Sequence, residues 1–541
     1  MIEHAELQAC VQRMNGVVEH ASNHLAGLTD KDGRISTELL DQHQDAVYQL
    51  AFLGAEAAMA TRMVEYAAFG AHEYLIAGIA LADLVRSTRT RLDGRRQLLG
   101  VDDDLRGGAC DSVLAGGLDP DRIDTLVGSM ETSNTGPPHL SEDVALVADT
   151  FSRFAREQVF PRAEETHRRN LDVPDDLIES MGAMGAFGMS IPANLGGFQD
   201  PAGAGLLAMA VATEALSRGS LMAGSLLTRP EILVTALLEG GTDEQKRGWL
   251  PGIASGERMV AVSVTEPDVG SDVASLRMSA RRRGDRFVMN GAKMWATFAG
   301  RAELLMILAR TDPDLSLGAR GLSLFVIEKP SFPGHEFSIG QPGGGTLRGR
   351  AIDTLGYRGL HSFELTFDEF EVPFDSLLGG EAGLGRGFYL QMGAFASGRL
   401  QTAARALGVM QAGFDEALAY CRTRSAFGRP LLDFQLTRLS LSRMAARIQA
   451  NRQFTYQAAR LLSEGQGQIE AAMAKALASR AAEEITRDAM QLHGGYGYAE
   501  EHPISRLFVD ARVLSIFEGT EEVLALRVIG KGLLERVGRN T

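Results

Sequence analysis

Gln491-Leu-His-Gly-Gly-Tyr-Gly-Tyr498, followed one helix later by Ile516-Phe-Glu518-Gly-Thr520, is the stretch on which the reading of this chain turns. It sets a glycine-rich turn and a lone carboxylate, flanked by Phe517 and Gly519, at the two ends of one amphipathic segment. A carboxylate among apolar neighbours has its charged form poorly solvated and can serve as a base near neutral pH. The same residues also describe a helix-terminal Glu beside a glycine cap, so the rest of the chain has to decide.

At 541 residues the chain is too long for one hydrophobic core and should hold three or four domains. Its net charge of -15 argues against nucleic acid or an anionic membrane as the main partner, while leaving room for a local basic groove. The three cysteines, Cys10, Cys110 and Cys421, are far apart in sequence and lack metal-like spacing, so neither a disulfide framework nor a metal site is expected. The acidic N-terminus lacks the basic-then-apolar order of a signal peptide. The apolar run from Ala46 to Val85 is broken by Arg62, Glu65, His72 and Glu73, and reads as packed helix. A soluble, cytoplasmic protein is expected.

Working outward, residues 377–541 carry helical periodicity in long segments (Gly398 to Thr423, Leu436 to Leu462, Ile469 to Leu492) and should form a four-helix bundle. From 259 to 376 the period changes to two: Phe363, Leu365 and Phe367 alternate with Glu364, Thr366 and Asp368. Gly284-Asp285 and Asn290-Gly291 sit where hairpin turns are expected, so this is a compact β domain, a small barrel. Residues 141–258 read as a helical domain that Ser141 opens as a cap, with Glu142 and Asp143 in the first turn. A linker, 132–140, separates it from a helical extension over 1–131, broken at Gly107-Gly108 and Gly116-Gly117.

Four motifs carry chemistry. Val264-Thr-Glu-Pro-Asp-Val-Gly-Ser-Asp272 offers backbone amides and two hydroxyls, with Gly270 permitting close approach. Lys293-Met-Trp-Ala-Thr297 puts an indole and a hydroxyl on a strand; taken alone, that Trp belongs to a core. Arg424-Ser-Ala-Phe-Gly428, with Gln435 following, presents a cationic fork suited to a diphosphate, or else a solvated helix-end arginine. The fourth is the opening stretch. Together and in this order they resemble the acyl-CoA dehydrogenase family, over about three quarters of the chain.

The resemblance implies a mostly α fold with a central β domain, non-covalent FAD, and an acyl-CoA substrate. Electron-transferring flavoprotein would accept the electrons. By that likeness Val264, Thr265, Gly270 and Ser271 contact the flavin, Trp295 covers one face, and Thr297 bonds near N5. Arg424, Phe427, Gln435, Gln491, Gly494 and Gly495 would meet a neighbouring subunit's dinucleotide, with Thr520 also at the cofactor. At least a dimer is therefore expected, a dimer before a tetramer. Ala426 stands where many relatives carry a hydroxyl, and Tyr496 and Glu522 also depart from the usual pattern. Glu518 would take the α-proton while hydride leaves the β-carbon for the flavin. Its backbone amide would polarise the thioester carbonyl. Ser271, Gly519 and Arg399 would contact the substrate. A branch of the family carries its base just before the arginine on the first bundle helix; here that pair is Gly398-Arg399, which leaves Glu518.

The helical extension, Thr228-Arg-Pro-Glu231 and Ile352-Asp-Thr-Leu-Gly-Tyr-Arg-Gly359 narrow the likeness to a branch whose thioester ends in a second carboxylate. Such a substrate needs a cationic partner. Arg229 is one reading; a bridge to Glu231 or a surface charge are the others, and Arg358 is less favoured. Short- or branched-chain dehydrogenases, an oxidase or monooxygenase on the same fold, and a DNA-binding relative are the rival readings. The acidic charge weighs against the last. Gly340-Gln-Pro-Gly-Gly-Gly345 lacks the Lys-Ser/Thr of a phosphate loop and reads as a strand connection, while His361 and His493 read as packed or exposed side chains.

Overall fold

The structure is a computed structural model that describes residues 3–130, 135–199 and 205–540. The start of the expected linker, Thr132 to Asn134, lies outside them. The chain forms two compact units, one of residues 143–401 and one joining 1–142 to 402–541. The extension and the C-terminal helices, far apart in sequence, thus share one core.

The 143–401 unit is built on an eight-stranded sheet. Its strands are β1 (Val260–Ser263), β2 (Ser279–Arg283), β3 (Arg286–Thr297), β4 (Leu304–Arg310), β5 (Leu322–Glu328), β6 (Glu336–Gly340), β7 (Thr346–Ile352) and β8 (Ser362–Pro373). They run in the order β1-β4-β2-β3-β8-β7-β6, with β5 on the free edge of β4. The expected barrel is therefore an open, curled half-barrel. β4 is buried along its whole length because helices cover it: Ile232, Leu233, Trp249 and Leu250 share a cluster with Leu304, Met306, Leu308 and Val326. β8 shows the alternation its sequence demands, Phe363, Leu365 and Phe367 buried and Glu364, Thr366 and Asp368 exposed.

Gly284-Asp285 forms the β2–β3 hairpin turn, with Gly284 at φ 66°. Asn290-Gly291 does not turn; it lies inside β3. Gly291 is required there because a Cβ would sit 2.9 Å from Met278 Cα. The Asn290 side chain instead exchanges hydrogen bonds with Glu369, 2.8 Å each way, at a bulge in β8. Gly340 to Gly345 joins β6 to β7, as a strand connection should. The stretch Leu221–Gly240 is long and apolar enough to cross a membrane but is mostly buried inside the protein.

In the other unit, the helices Gln44–Ala67 and Ala71–Leu92 occupy the apolar run and pack on the helices Gln435–Ser463 and Gln468–His493. The helical pattern of the extension breaks at both glycine pairs: Gly107-Gly108 precedes the helix Ala109–Gly117 and Gly116-Gly117 ends it. Gly117 is needed for close packing, since a Cβ would meet Gly78 O at 2.4 Å. Cys10 and Cys110, remote in sequence, are neighbours here, Cys110 Sγ lying 3.9 Å from Cys10 O.

Candidate active site

The flavin-contact loop of the sequence reading leaves the end of β1. Glu266 and Val269 exchange backbone hydrogen bonds of 2.8 and 3.2 Å, pinching it into a tight turn, and Met294 N–H donates to Thr265 O at 2.8 Å, tying it to β3. Beneath it lies a buried ion pair. Lys293 Nζ, fully buried, donates to Glu266 Oε1 at 3.0 Å and to Val264 O at 2.8 Å. Burial brings the Lys293 ammonium down to about 8, against the attraction of Glu266. Glu266 also accepts from Arg277 and Met278 N–H at 2.8 and 2.9 Å. Val264 is buried, Thr265 half-buried, and Gly270 and Ser271 are exposed.

Two residues beyond Lys293, Trp295 takes a left-handed backbone, φ 61°, and leaves 53% of its surface exposed. It is not the core tryptophan that a strand position alone implies. Thr297 is buried, its Oγ1 3.0 Å from Ser362 Oγ. Arg229 is buried, donates to Ser225 O at 3.0 Å and stands 5.7 Å over the Tyr357 ring. Neither a surface charge nor a Glu231 bridge describes it: among the described residues, Glu231 takes its hydrogen bond from Ser397 Oγ at 2.9 Å. Arg358 is spent on the carbonyls of Thr354 and His167, 3.2 and 3.0 Å. Arg399 is half-buried in the same unit. His361 pairs with Asp172 at 3.1 Å and His493 stacks on Tyr420 at 4.4 Å, both as packed side chains.

In the other unit, Glu518 sits in the turn between the helix Pro503–Leu514 and Thr520, in left-handed conformation at φ 59°, next to Gly519 at φ 97°. Its side chain is 9% exposed and, among the described residues, Oε2 has no hydrogen-bond partner. The surroundings are not purely apolar, however. The fully buried Arg405 places Nη2 3.6 Å from Glu518 Oε1 and its guanidinium 4.5 Å over the Phe517 ring. Sequence reading missed Arg405, because nothing in a helix read from periodicity marks one arginine as facing a turn over a hundred residues later. Lys475 Nζ holds Gly519 O at 2.7 Å, and Thr520 caps the following turn through Val523 N–H at 3.4 Å.

The same unit brings Arg424 and the glycine-rich stretch together: the guanidinium lies 5.9 Å over Tyr496. Phe427 and Gly428, both at positive φ, form a two-residue turn between short paired strands, with Phe427 97% exposed. Gln435, Gln491, Gly494 and Gly495 are exposed around it. Half-exposed Trp295 in one unit and exposed Phe427 in the other each offer an aromatic face of the kind that a flat or apolar group covers, a chemistry that suits a flavin dinucleotide.

The comparisons agree with this geometry. The N-terminal, middle and C-terminal domain models of acyl-CoA dehydrogenase match residues 141–257, 261–370 and 385–534. The (2S)-methylsuccinyl-CoA dehydrogenase of Cereibacter sphaeroides is 38% identical over 96% of both chains, a span that takes in the extension. Butyryl-CoA dehydrogenase from Megasphaera elsdenii superposes with a TM-score of 0.66 at 30% identity, covering 73% of this chain and 99% of its own. A chain from the structure titled for the electron transferring flavoprotein of Acidaminococcus fermentans gives 0.65 at 33% identity, over 72% and 97%. The chain belongs to the acyl-CoA dehydrogenases, FAD-dependent oxidoreductases acting on acyl-CoA thioesters.

Proposed function

We propose that the protein oxidises (2S)-methylsuccinyl-CoA to mesaconyl-CoA, with Glu518 as the base. The observation that carries the base assignment is the buried Glu518 carboxylate in its left-handed turn, one oxygen without a hydrogen-bond partner among the described residues. Glu518 takes the proton from the carbon beside the thioester carbonyl, and its backbone amide donates to that carbonyl as negative charge builds there. Bound FAD supplies the hydride acceptor. Val264, Thr265, Gly270, Ser271, Trp295 and Thr297 would hold its isoalloxazine end. Arg424, Phe427, Gln435, Gln491, Gly494, Gly495 and Thr520 would hold dinucleotide, those around the exposed Phe427 a partner subunit's, which makes the working form at least a dimer.

The substrate is supported by a likeness that covers 96% of this chain at 38% identity overall, and so takes in most of the extension, where the butyryl-CoA enzyme covers 73%. For the second carboxylate of such a thioester, Arg229, buried in the 143–401 unit, is one proposed partner, and Arg405 of the other unit, 3.6 Å from the proposed base, is an alternative to it. The β-carbon that bears the carboxylate neighbours the carbon that Glu518 deprotonates. A carboxylate on it therefore falls within reach of a cation that already touches the base. Electron-transferring flavoprotein is the proposed acceptor and the cytoplasm the proposed compartment.

Anaerobic titration with methylsuccinyl-, butyryl-, isobutyryl- and glutaryl-CoA, read by flavin absorbance, tests this. Bleaching by methylsuccinyl-CoA in preference to the others is expected. Bleaching only by the monocarboxylic thioesters would discard the substrate while keeping the dehydrogenase. Glu518→Gln should keep flavin and lose bleaching; retained turnover would sink the base assignment.

A further inference from the structure

The turn that carries Glu518 is held from a direction the dehydrogenase core does not supply. Glu521, three residues on, accepts two hydrogen bonds of 2.6 Å from Arg480, one to each oxygen. Its Oε1 also accepts from the hydroxyl of Tyr48, which belongs to the extension helix Gln44–Ala67. Arg480 Nη2 donates back to the Tyr48 oxygen at 2.6 Å, closing a three-membered ring of contacts. The guanidinium of Arg480 lies 4.2 Å over Phe52, and Arg91 lies 4.5 Å from the same ring. Arg91 is fixed in turn by Glu56 at 2.8 Å. Tyr48, Phe52 and Glu56 recur at every fourth residue, so one stripe of the extension faces this cluster.

Tyr48, Arg480 and Glu521 have fixed protonation in the working range. Burial raises Glu521, but the bonds from Arg480 and Tyr48 outweigh it and leave the carboxyl below its ordinary value. Burial and Glu521 push the Tyr48 phenol up to about 12. The cluster is therefore a permanent anion gripped by a cation and a phenol.

Such a grip has a purpose here. A non-glycine residue in the left-handed region is strained, and it persists only where surrounding contacts over-determine it. The helix Gln468–His493 supplies part of that constraint: Ser479 Oγ donates to Leu514 O at 3.0 Å ahead of the turn and Lys475 to Gly519 O within it. The C-terminal side is fixed at Glu521, by two bonds from Arg480 and one from Tyr48 of the extension.

We propose that Tyr48 is a positioning residue for proton abstraction, acting through Glu521 and Arg480 on the backbone that aims Glu518, so that the extension takes part in the chemistry without touching the substrate. This rests on Glu518 being the base. Misplacing a reacting group by about 1 Å costs on the order of a hundredfold in rate, and the loss of one of three contacts should give roughly a tenth of that.

The test is anaerobic stopped-flow reduction of the holoenzyme's flavin by the thioester that bleaches it best, protiated and α-deuterated. Tyr48→Phe, Glu521→Gln, Arg480→Lys and Glu518→Gln are compared with the parent. Tyr48→Phe should retain FAD and thioester affinity, reduce its flavin about tenfold more slowly, and show a larger α-deuterium isotope effect. Glu521→Gln should do the same, and the double variant no worse than Glu521→Gln. Arg480→Lys keeps the charge but not the fork and should fall between, a second reading if Tyr48→Phe folds poorly. Parent rate and isotope effect in Tyr48→Phe or Arg480→Lys, with Glu518→Gln inert, would overturn the positioning role alone. A Glu518→Gln enzyme that still reduces its flavin would overturn the base assignment and the positioning role with it.

Discussion

Replacing Glu266 by Gln tests whether the buried pair under the loop Val264 to Asp272 is an ion pair. Gln keeps the shape and an acceptor but removes the charge that holds the fully buried Lys293 protonated. The lysine then gives up its proton, and this sets the loss. Holding a proton on a group titrating at about 8 is worth about 1 kcal/mol at pH 7 and about 3 kcal/mol at pH 6. The sign follows from linkage. A lysine depressed in the folded state makes stability rise with pH between its folded and unfolded values, here from about 8 to 10.5. In the variant that rise begins at lower pH, so the two proteins diverge below pH 8 and run parallel above it. An amide donor facing Arg277 N–H adds a constant offset. Scanning calorimetry at pH 6, 7 and 9 should show a pH-dependent deficit of roughly 3 °C at pH 7 and roughly 8 °C at pH 6, at about 2–4 °C per kcal/mol for units of this size. In a Lys293→Met background only the offset should remain. A deficit that is the same at all three pH values, or one whose pH dependence survives beside Lys293→Met, refutes the reasoning.

Gly117→Ala would put a methyl 2.4 Å from Gly78 O and 2.5 Å from Ala82 Cβ, costing about 1–3 kcal/mol, and a melting temperature equal to the parent's would contradict the close packing. Arg229→Ala should raise KM several-fold for a dicarboxylic thioester and leave butyryl-CoA untouched; equal loss on both would remove Arg229 from the tail pocket. Because the folded Glu521 carboxyl titrates below its ordinary 4.5, its contribution to stability is complete above that pH and is lost as pH falls further. Denaturation of parent and Glu521→Gln between pH 7 and 3.5 should therefore show a gap that narrows below about 4.5, and a gap independent of pH would speak against the clamp.

What the sequence made legible follows from the range of the signals involved. Alternation in Phe363 to Phe367 and the helical period of the C-terminal segments are local, and both survive in the structure. Gly284-Asp285 and Asn290-Gly291 look alike in sequence. Only one turns, because the other is decided by Met278 and Glu369, neither of them adjacent in sequence. Glu518 was visible because its motif is contiguous. Arg405 and Tyr48 were not, since each meets the Glu518 turn only through the tertiary fold, Tyr48 across 473 residues. Arg229 was legible as a charge, and only its burial and the Ser397 bond of Glu231 could choose among its readings.

The unit that joins residues 1–142 to 402–541 also dictates an order of events during synthesis. Its first helices leave the ribosome long before the residues they pack on, while the 143–401 unit has all its own partners in hand and can close first. Until the last helices arrive, the faces of Gln44–Ala67 and Ala71–Leu92 that pack on Gln435–Ser463 and Gln468–His493 stay uncovered. A nascent chain stalled before residue 402 therefore exposes a sticky helical arm beside a finished domain, and such chains should depend on chaperones more than finished ones do. For the same reason the extension is a poor place to trim: a chain begun at Ser141 loses half of one hydrophobic core, including the phenol that grips Glu521.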